Sequence, residues 1–124
     1  MALINVVLTT YNRPSFLLEA LKAILNQSFS DFKLYILDNG SDIRTKTILR
    51  SLKDKRIQTI ENESNSLEFI NEAFKLIDSK YMILTHDDDI METDFLSSQI
   101  DLLEADNNIN LIACQISLIN ENSI

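Results

Sequence analysis

The chain is short of the residues that shape a backbone or hold a metal. It has a single glycine, Gly40, in 124 residues, so no glycine-rich loop can draw backbone N–H groups closely around a phosphate. Neither GxGxxG nor GxxxxGK(S/T) occurs, which leaves a dinucleotide fold of the usual kind and a P-loop without support. The lone cysteine, Cys114, excludes an internal disulfide and a cysteine-based zinc site. Its apolar neighbours, LIACQI, predict a packed core thiol. Basic residues are in the minority, 11 Lys and Arg against 19 Asp and Glu, and the formal charge of −8 disfavours nucleic acid as a partner. No apolar run approaches the length of a membrane span. The opening MALINVVLTT lacks a basic leader and a small-residue cleavage site, so it reads as a buried strand and the protein is expected to be cytoplasmic.

What is present alternates. Leu3 to Leu8 is a near-continuous apolar run, the mark of a strand covered on both faces. Pro14 suits the first turn of a helix, and Leu17, Leu21, Ile24 and Leu25 carry helical spacing to about Gln27. Phe32 to Leu37 is a second strand, ended by Asp38, Asn39 and Gly40, where a turn of positive φ is expected. Ser41 or Asp42 caps a helix to about Leu52, with Ile48 and Leu52 on its inner side. Arg56 to Ile60 reads as a third strand; Leu67, Ile70, Ala73, Phe74 and Ile77 form the stripe of a third helix. Tyr81 to Thr85 is a fourth strand, placed in the interior of the sheet. Asp94 opens a helix with Leu96, Ile100 and Leu103 facing inward, and Leu111 to Ile116 is predicted as a last strand.

Strand and helix in alternation specify an α/β domain with a mainly parallel sheet and helices on both faces, a three-layer α/β/α arrangement over residues 1–124. The polar tail Asn120 to Ile124 reads as an arbitrary stop, so the chain is expected to be a fragment or a naturally short relative of something longer.

Three strand ends carry the unusual residues: Thr10 to Arg13, Asp38 to Asp42, and His86 to Asp89. On a parallel sheet all three fall on one edge, where ligands bind beyond the carboxyl ends of the strands. Tyr11 offers an aromatic face for a base, Asp38 a carboxylate for a ring N–H, and the aspartates a place for a ribose hydroxyl and a metal-bound diphosphate. Each also has a structural explanation. Thr10 and Asn12 can satisfy strand-end backbone groups, Tyr11 can pack on its helix, Asp38 can make an Asx-turn, and the aspartates can cap a helix. His86 can be only solvated. A phosphoacceptor arrangement would need acids after the first strand, and Thr9 to Arg13 supplies none. Arg44, Lys46, Arg50, Lys53, Lys55 and Arg56 form a basic segment, either a solvated helix face or a contact with an anionic membrane surface.

The stretch VVLTTYNRPSFLLEALKAILNQSFSDFKLYILDNGSD, followed by KYMILTHDDDIMETDFL, resembles the N-terminal, nucleotide-sugar-binding half of the family 2 glycosyltransferases of GT-A fold, Rossmann-like in its nucleotide-binding part. The resemblance implies glycosyl transfer from a nucleotide-diphosphate sugar, often UDP-linked, to a glycan or lipid-linked acceptor in polysaccharide or glycoconjugate synthesis, with Mn²⁺ or Mg²⁺ clamping the diphosphate. It assigns Thr10, Tyr11, Asn12, Arg13, Asp38, His86 and Asp87 to the nucleotide. Asp88 and Asp89 are assigned to the metal. Two registers are open for the aspartate cluster. Anchoring on Asp94 makes Asp88 the metal-facing carboxylate, with Asp87 near the ribose and His86 in place of the usual first acid; pairing Asp87 with Asp89 shifts the frame by one. Asn62 to Asn71 lacks the family's glycine and shows Phe69 and Ile70 where an arginine is expected. In the family the acceptor-binding half and general base lie beyond the position of Ile124, so the alternative to a transferase is a non-catalytic, degenerate or truncated module that binds a nucleotide or a protein partner without turnover.

Overall fold

The computed structural model describes residues 2–124. Its elements run β1 (Ile4–Thr10), α1 (Pro14–Leu25), β2 (Phe32–Asn39), α2 (Ile43–Ser51), β3 (Ile57–Asn62), α3 (Leu67–Phe74), β4 (Tyr81–His86) and α4 (Phe95–Ala105). The four strands form one parallel sheet in the order β3-β2-β1-β4. β1 and β2 are buried along nearly their whole length, as their unbroken apolar runs require.

Alternate residues of β1 and β2 feed two cores. Ile4, Val6, Leu8, Leu34 and Ile36 meet Leu17, Leu21 and Ile24 of α1, Leu49 of α2, and Leu96 and Ile100 of α4. Val7 and Leu37 on the opposite face meet α3 through Ala73, with Phe69, Ile70 and Phe74 packed around it. The result is the expected three-layer α/β/α domain. α1 begins at Pro14, α2 is capped by Asp42, whose side chain accepts from the Thr45 N–H, and Gly40 sits at φ +87°. A Cβ on Gly40 would lie 2.6 Å from backbone atoms of Ser64 and Asn65, so the turn is closed against the β3–α3 loop.

Several expectations are corrected. β4 is an edge strand rather than an interior one, and it alternates half-buried with exposed residues because Met82 and Leu84 have no helix over them. α2 turns Thr45 and Leu49 fully inward; Leu52 packs against the core as expected, while Ile48 is half-buried and belongs to neither core cluster, and the Asp42 cap fixes the helix start and hence its phase. Leu67 leaves the apolar stripe and is 84% exposed, since it opens α3 beyond the rim of the sheet. Leu111 to Ile116 forms no strand, and Cys114 is exposed instead of packed. A strand exists only where a partner strand pairs with it, and this segment pairs with none among the described residues.

Candidate functional site

Strand order makes the site. From β1 the chain steps outward through β2 to β3, then returns to the other side of β1 as β4, so the order reverses at β1. A crevice forms at such a switch point, beyond the carboxyl ends of the strands. In register, Thr10 stands opposite Asp38 on one side, and Thr9 opposite His86 on the other. An open groove of about 510 Å³ lies over these ends, lined by Thr9, Thr10, Tyr11, Arg13, Asn39 and His86 together with Asp87 and Asp88; Leu67, Ile70 and Leu84 form its apolar wall.

The aspartate run is sorted by burial. Asp87 points inward and is 5% exposed, accepting from the Thr10 hydroxyl at 2.8 Å and the Tyr11 backbone N–H at 3.2 Å. Asp88 points outward, half exposed, with the Arg13 Nη1 at 2.5 Å from its Oδ2; the same nitrogen stands 3.6 Å from Asp87 Oδ1. Asp89 is exposed and only its backbone is engaged, in a turn to the His86 carbonyl. Successive residues leaving β4 thus do different work: one braces the β1 loop and the next faces the groove.

The β1 and β2 loops are also tied together. Asn12, at φ +52°, donates its N–H to the Ser41 hydroxyl and accepts from the Asp42 N–H at 2.6 Å. Asn and Asp tolerate the left-handed region better than other non-glycine residues. Asp38 makes the Asx-turn, its Oδ1 accepting from the Ser41 N–H at 3.0 Å, but its Oδ2 is buried with no partner among the described residues. An orphaned carboxylate oxygen is costly, and each such atom calls for a donor, whether from a bound water, an ion or a ligand. Asp38, Asn12 and Asp89 do not line the groove wall. A base could reach Asp38 Oδ2 only if the side chains around it shift.

Thr9 was not among the sequence candidates, and Asn39 and Ser41, though within the candidate loop Asp38 to Asp42, were given no site role. Thr9 Oγ1 lies 2.6 Å from His86 Nδ1 and so orients that ring, while Asn39 Oδ1 accepts the Ser66 N–H at the start of α3. Alternation along β1 could have found Thr9, since it shares a face with Val7 and the groove. The contact of Ser41 with Asn12 could not be read, because the two are 29 residues apart. In the basic segment, Arg44, Arg50 and Arg56 pair with Asp42, Glu61 and Asp54.

For the cation, no cluster of three metal-capable side chains exists among the described residues. Mg²⁺ and Mn²⁺ at phosphate sites need no such cage, because one or two carboxylates are completed by phosphate and water oxygens. Asp88 offers one exposed carboxylate at the groove and already accommodates a cationic group, so the oxygen donors present fit such an ion.

Comparison with known proteins gives the fold and the family. An uncharacterized glycosyltransferase of Haemophilus influenzae is 27% identical over 96% of the chain and 38% of its own length. The Escherichia coli UDP-Glc:alpha-D-GlcNAc-diphosphoundecaprenol beta-1,3-glucosyltransferase WfgD is 25% identical over 98% of the chain and 49% of its own length. The chain therefore spans less than half of each. Among solved structures, S. aureus TarS residues 1–349 in complex with UDP-GlcNAc superposes with a TM-score of 0.75 at 21% identity, over 82% of this chain and 31% of that one. A mannosyltransferase from Pyrobaculum calidifontis, in complex with GDP-Man and Mn²⁺, gives 0.72 at 19% identity over 82% of this chain and 32% of its own. These likenesses establish the GT-A fold. The model of the Glycosyl transferase family 2 matches residues 5–123, and the chain belongs to that family.

Proposed function

We propose that the chain is the donor-binding part of a metal-dependent glycosyltransferase, taking a UDP-linked sugar for transfer to a glycan or lipid-linked acceptor in cell-envelope polysaccharide or glycoconjugate synthesis. The observation that carries this reading is the meeting of three strand ends at one switch point, with the groove across them. A UDP donor is favoured by the printed substrate of WfgD and the UDP-GlcNAc bound to TarS, and a lipid-linked acceptor by the diphosphoundecaprenol in the name of WfgD.

The residues divide the donor between them. Tyr11, 46% exposed, presents its ring to the base, and Asp38 Oδ2 takes a ring N–H once uncovered. Asp87 is locked by Thr10 and Tyr11 and, beside His86, faces the ribose. Asn12 holds the β1 loop in place, Arg13 supplies positive charge at the diphosphate, and Asp88 with Asp89 holds Mn²⁺ or Mg²⁺. When bound, the cation stabilises the charge of the departing diphosphate. The apolar wall of Leu67, Ile70 and Leu84 keeps water from one side of the nucleotide. The general base and acceptor contacts are assigned to the part of the relatives' length that this chain does not span.

No helix among the described residues is long and apolar enough to cross a membrane. We place the protein in the cytoplasm at the inner face of the membrane, where a lipid-linked acceptor is reached. Within the basic segment the contact falls to Lys46, Lys53 and Lys55, which have no ion pair among the described residues.

Titration calorimetry with UDP tests the reading. Binding is expected with Mn²⁺ or Mg²⁺ and at least about tenfold weaker in a chelator. Equal affinity without metal overturns the metal assignment, and no binding of any nucleoside diphosphate overturns the donor site. The alternative of a nucleotide-binding module without turnover predicts binding but no hydrolysis or transfer of a UDP-sugar, even when a full-length relative's acceptor part is supplied.

A further inference from the structure

Arg13 stands where a cation belongs. Its Nη1 is 2.5 Å from Asp88 Oδ2 and 3.6 Å from Asp87 Oδ1, so one nitrogen serves both carboxylates. The two carboxylates also line a second, adjoining cavity of about 240 Å³, whose other walls include Phe16, Glu19 and Glu121. Arg13 is the sole lysine or arginine among the residues lining either cavity. It is about half exposed, its long side chain being anchored only at the backbone that enters α1. A guanidinium in that position can leave without unfolding anything.

Two incoming groups compete for the same charges. A divalent cation needs the Asp88 oxygen that Arg13 occupies, and a diphosphate arriving in a groove with Asp87 and Asp88 needs a cationic side chain free to meet it. Both needs are met by a single movement. Building on the donor site proposed above, we infer that Arg13 is the resident counter-ion of the Asp87–Asp88 pair, that the divalent cation displaces it from Asp88, and that the released guanidinium then takes a diphosphate oxygen. Before donor binding the resident Arg13 offsets the repulsion between the adjacent carboxylates. Afterwards it places two positive groups on the diphosphate. Arg13 thereby becomes a donor-binding residue whose contribution changes sign along the binding sequence.

That change of sign is the test. In the 124-residue chain, Arg13→Gln removes the competitor, so Mn²⁺ alone is expected to bind roughly 3- to 10-fold more tightly by calorimetry or by the loss of free Mn²⁺ signal in electron paramagnetic resonance. UDP at saturating Mn²⁺ is expected to bind about 10-fold more weakly. Arg13→Lys, which keeps the charge on a different head group, should restore part of both effects. A structural role for Arg13 would weaken both ligands together, and that result, or unchanged Mn²⁺ affinity in Arg13→Gln, overturns the exchange. If the wild-type chain binds Mn²⁺ and UDP, a failure of opposite shifts rejects the counter-ion role alone. If it binds neither, the donor site itself is rejected and the exchange with it.

Discussion

The hydroxyl of Thr10 donates to the buried carboxylate of Asp87 at 2.8 Å, joining the end of β1 to the loop behind β4 across 77 residues of chain. With the Tyr11 N–H it gives Asp87 Oδ2 two donors, which is why an acid next to two others can stay 5% exposed. Thr10→Val removes one donor and leaves a buried charge underpaired. A loss of roughly 1–3 kcal/mol in urea unfolding is expected, with weakened UDP binding, while Thr10→Ser should retain most of both. If Thr10→Val unfolds like the wild type, Asp87 is not held by that hydroxyl.

Asp88 and Asp89 separate the two registers of the aspartate run. Asp88 faces the groove and Asp89 does not line it, so Asp88→Asn should lower Mn²⁺-dependent UDP affinity by about tenfold or more, and Asp89→Asn by less. Both substitutions are at exposed positions and should change stability by no more than about 0.5 kcal/mol. Calorimetry showing the larger loss in Asp89→Asn would move the metal to the other frame.

Asp38 carries a fully buried oxygen without a donor, beside one that closes an Asx-turn. Asp38→Asn keeps the turn acceptor but offers a base N–H a donor instead of an acceptor. Thermal unfolding should show stability unchanged or raised, and UDP affinity should fall by roughly tenfold. Unaltered affinity would reduce Asp38 to its turn.

Gly40 is closed in by the β3–α3 loop. Gly40→Ala places a Cβ at φ +87° and 2.6 Å from Ser64 and Asn65 backbone atoms, where no flexible side chain can give way. A loss of at least about 2 kcal/mol is expected in chemical denaturation. A milder effect would mean that the loop yields.

Asp54 is held down to about 2 from an ordinary value of 3.8, chiefly by the hydrogen bond from the Arg56 guanidinium. Arg56 in turn donates to the Leu25 carbonyl and lies over the Phe32 ring, pinning the start of β3 against α1 and β2. A depressed carboxylate stabilises the fold above its unfolded value, and the contribution disappears as pH falls through the folded value. Between about pH 4 and pH 2 the chain should therefore lose roughly 1 kcal/mol that Asp54→Asn lacks at every pH, after allowance for partial exposure. Urea midpoints of the two proteins should converge toward pH 2; a constant gap would exclude the pair as its source.

Much of the architecture can be read in one dimension because its signals are local. The apolar runs of β1 and β2, Pro14 at a helix start, the Asp42 cap and Gly40 at a left-handed turn each depend on residues within a few positions. Leu111 to Ile116 misled for the same reason: its composition states what the segment tolerates, and pairing depends on a strand elsewhere. Ile48 reads as an inner residue of α2 because its four-residue spacing to Leu52, which does pack on the core, is the same as that of Thr45 to Leu49.

The residue types at the three strand ends, and hence the kinds of ligand they can address, were determined by the sequence alone. Tertiary structure decided which of those residues face the groove. Strand order set β4 beside β1, turning Asp87 inward to Thr10 and Asp88 outward to Arg13. It also sealed one oxygen of Asp38 beneath the rim. Adjacent aspartates are identical as letters. They acquire different roles only when a neighbouring strand supplies donors to one and solvent to the next.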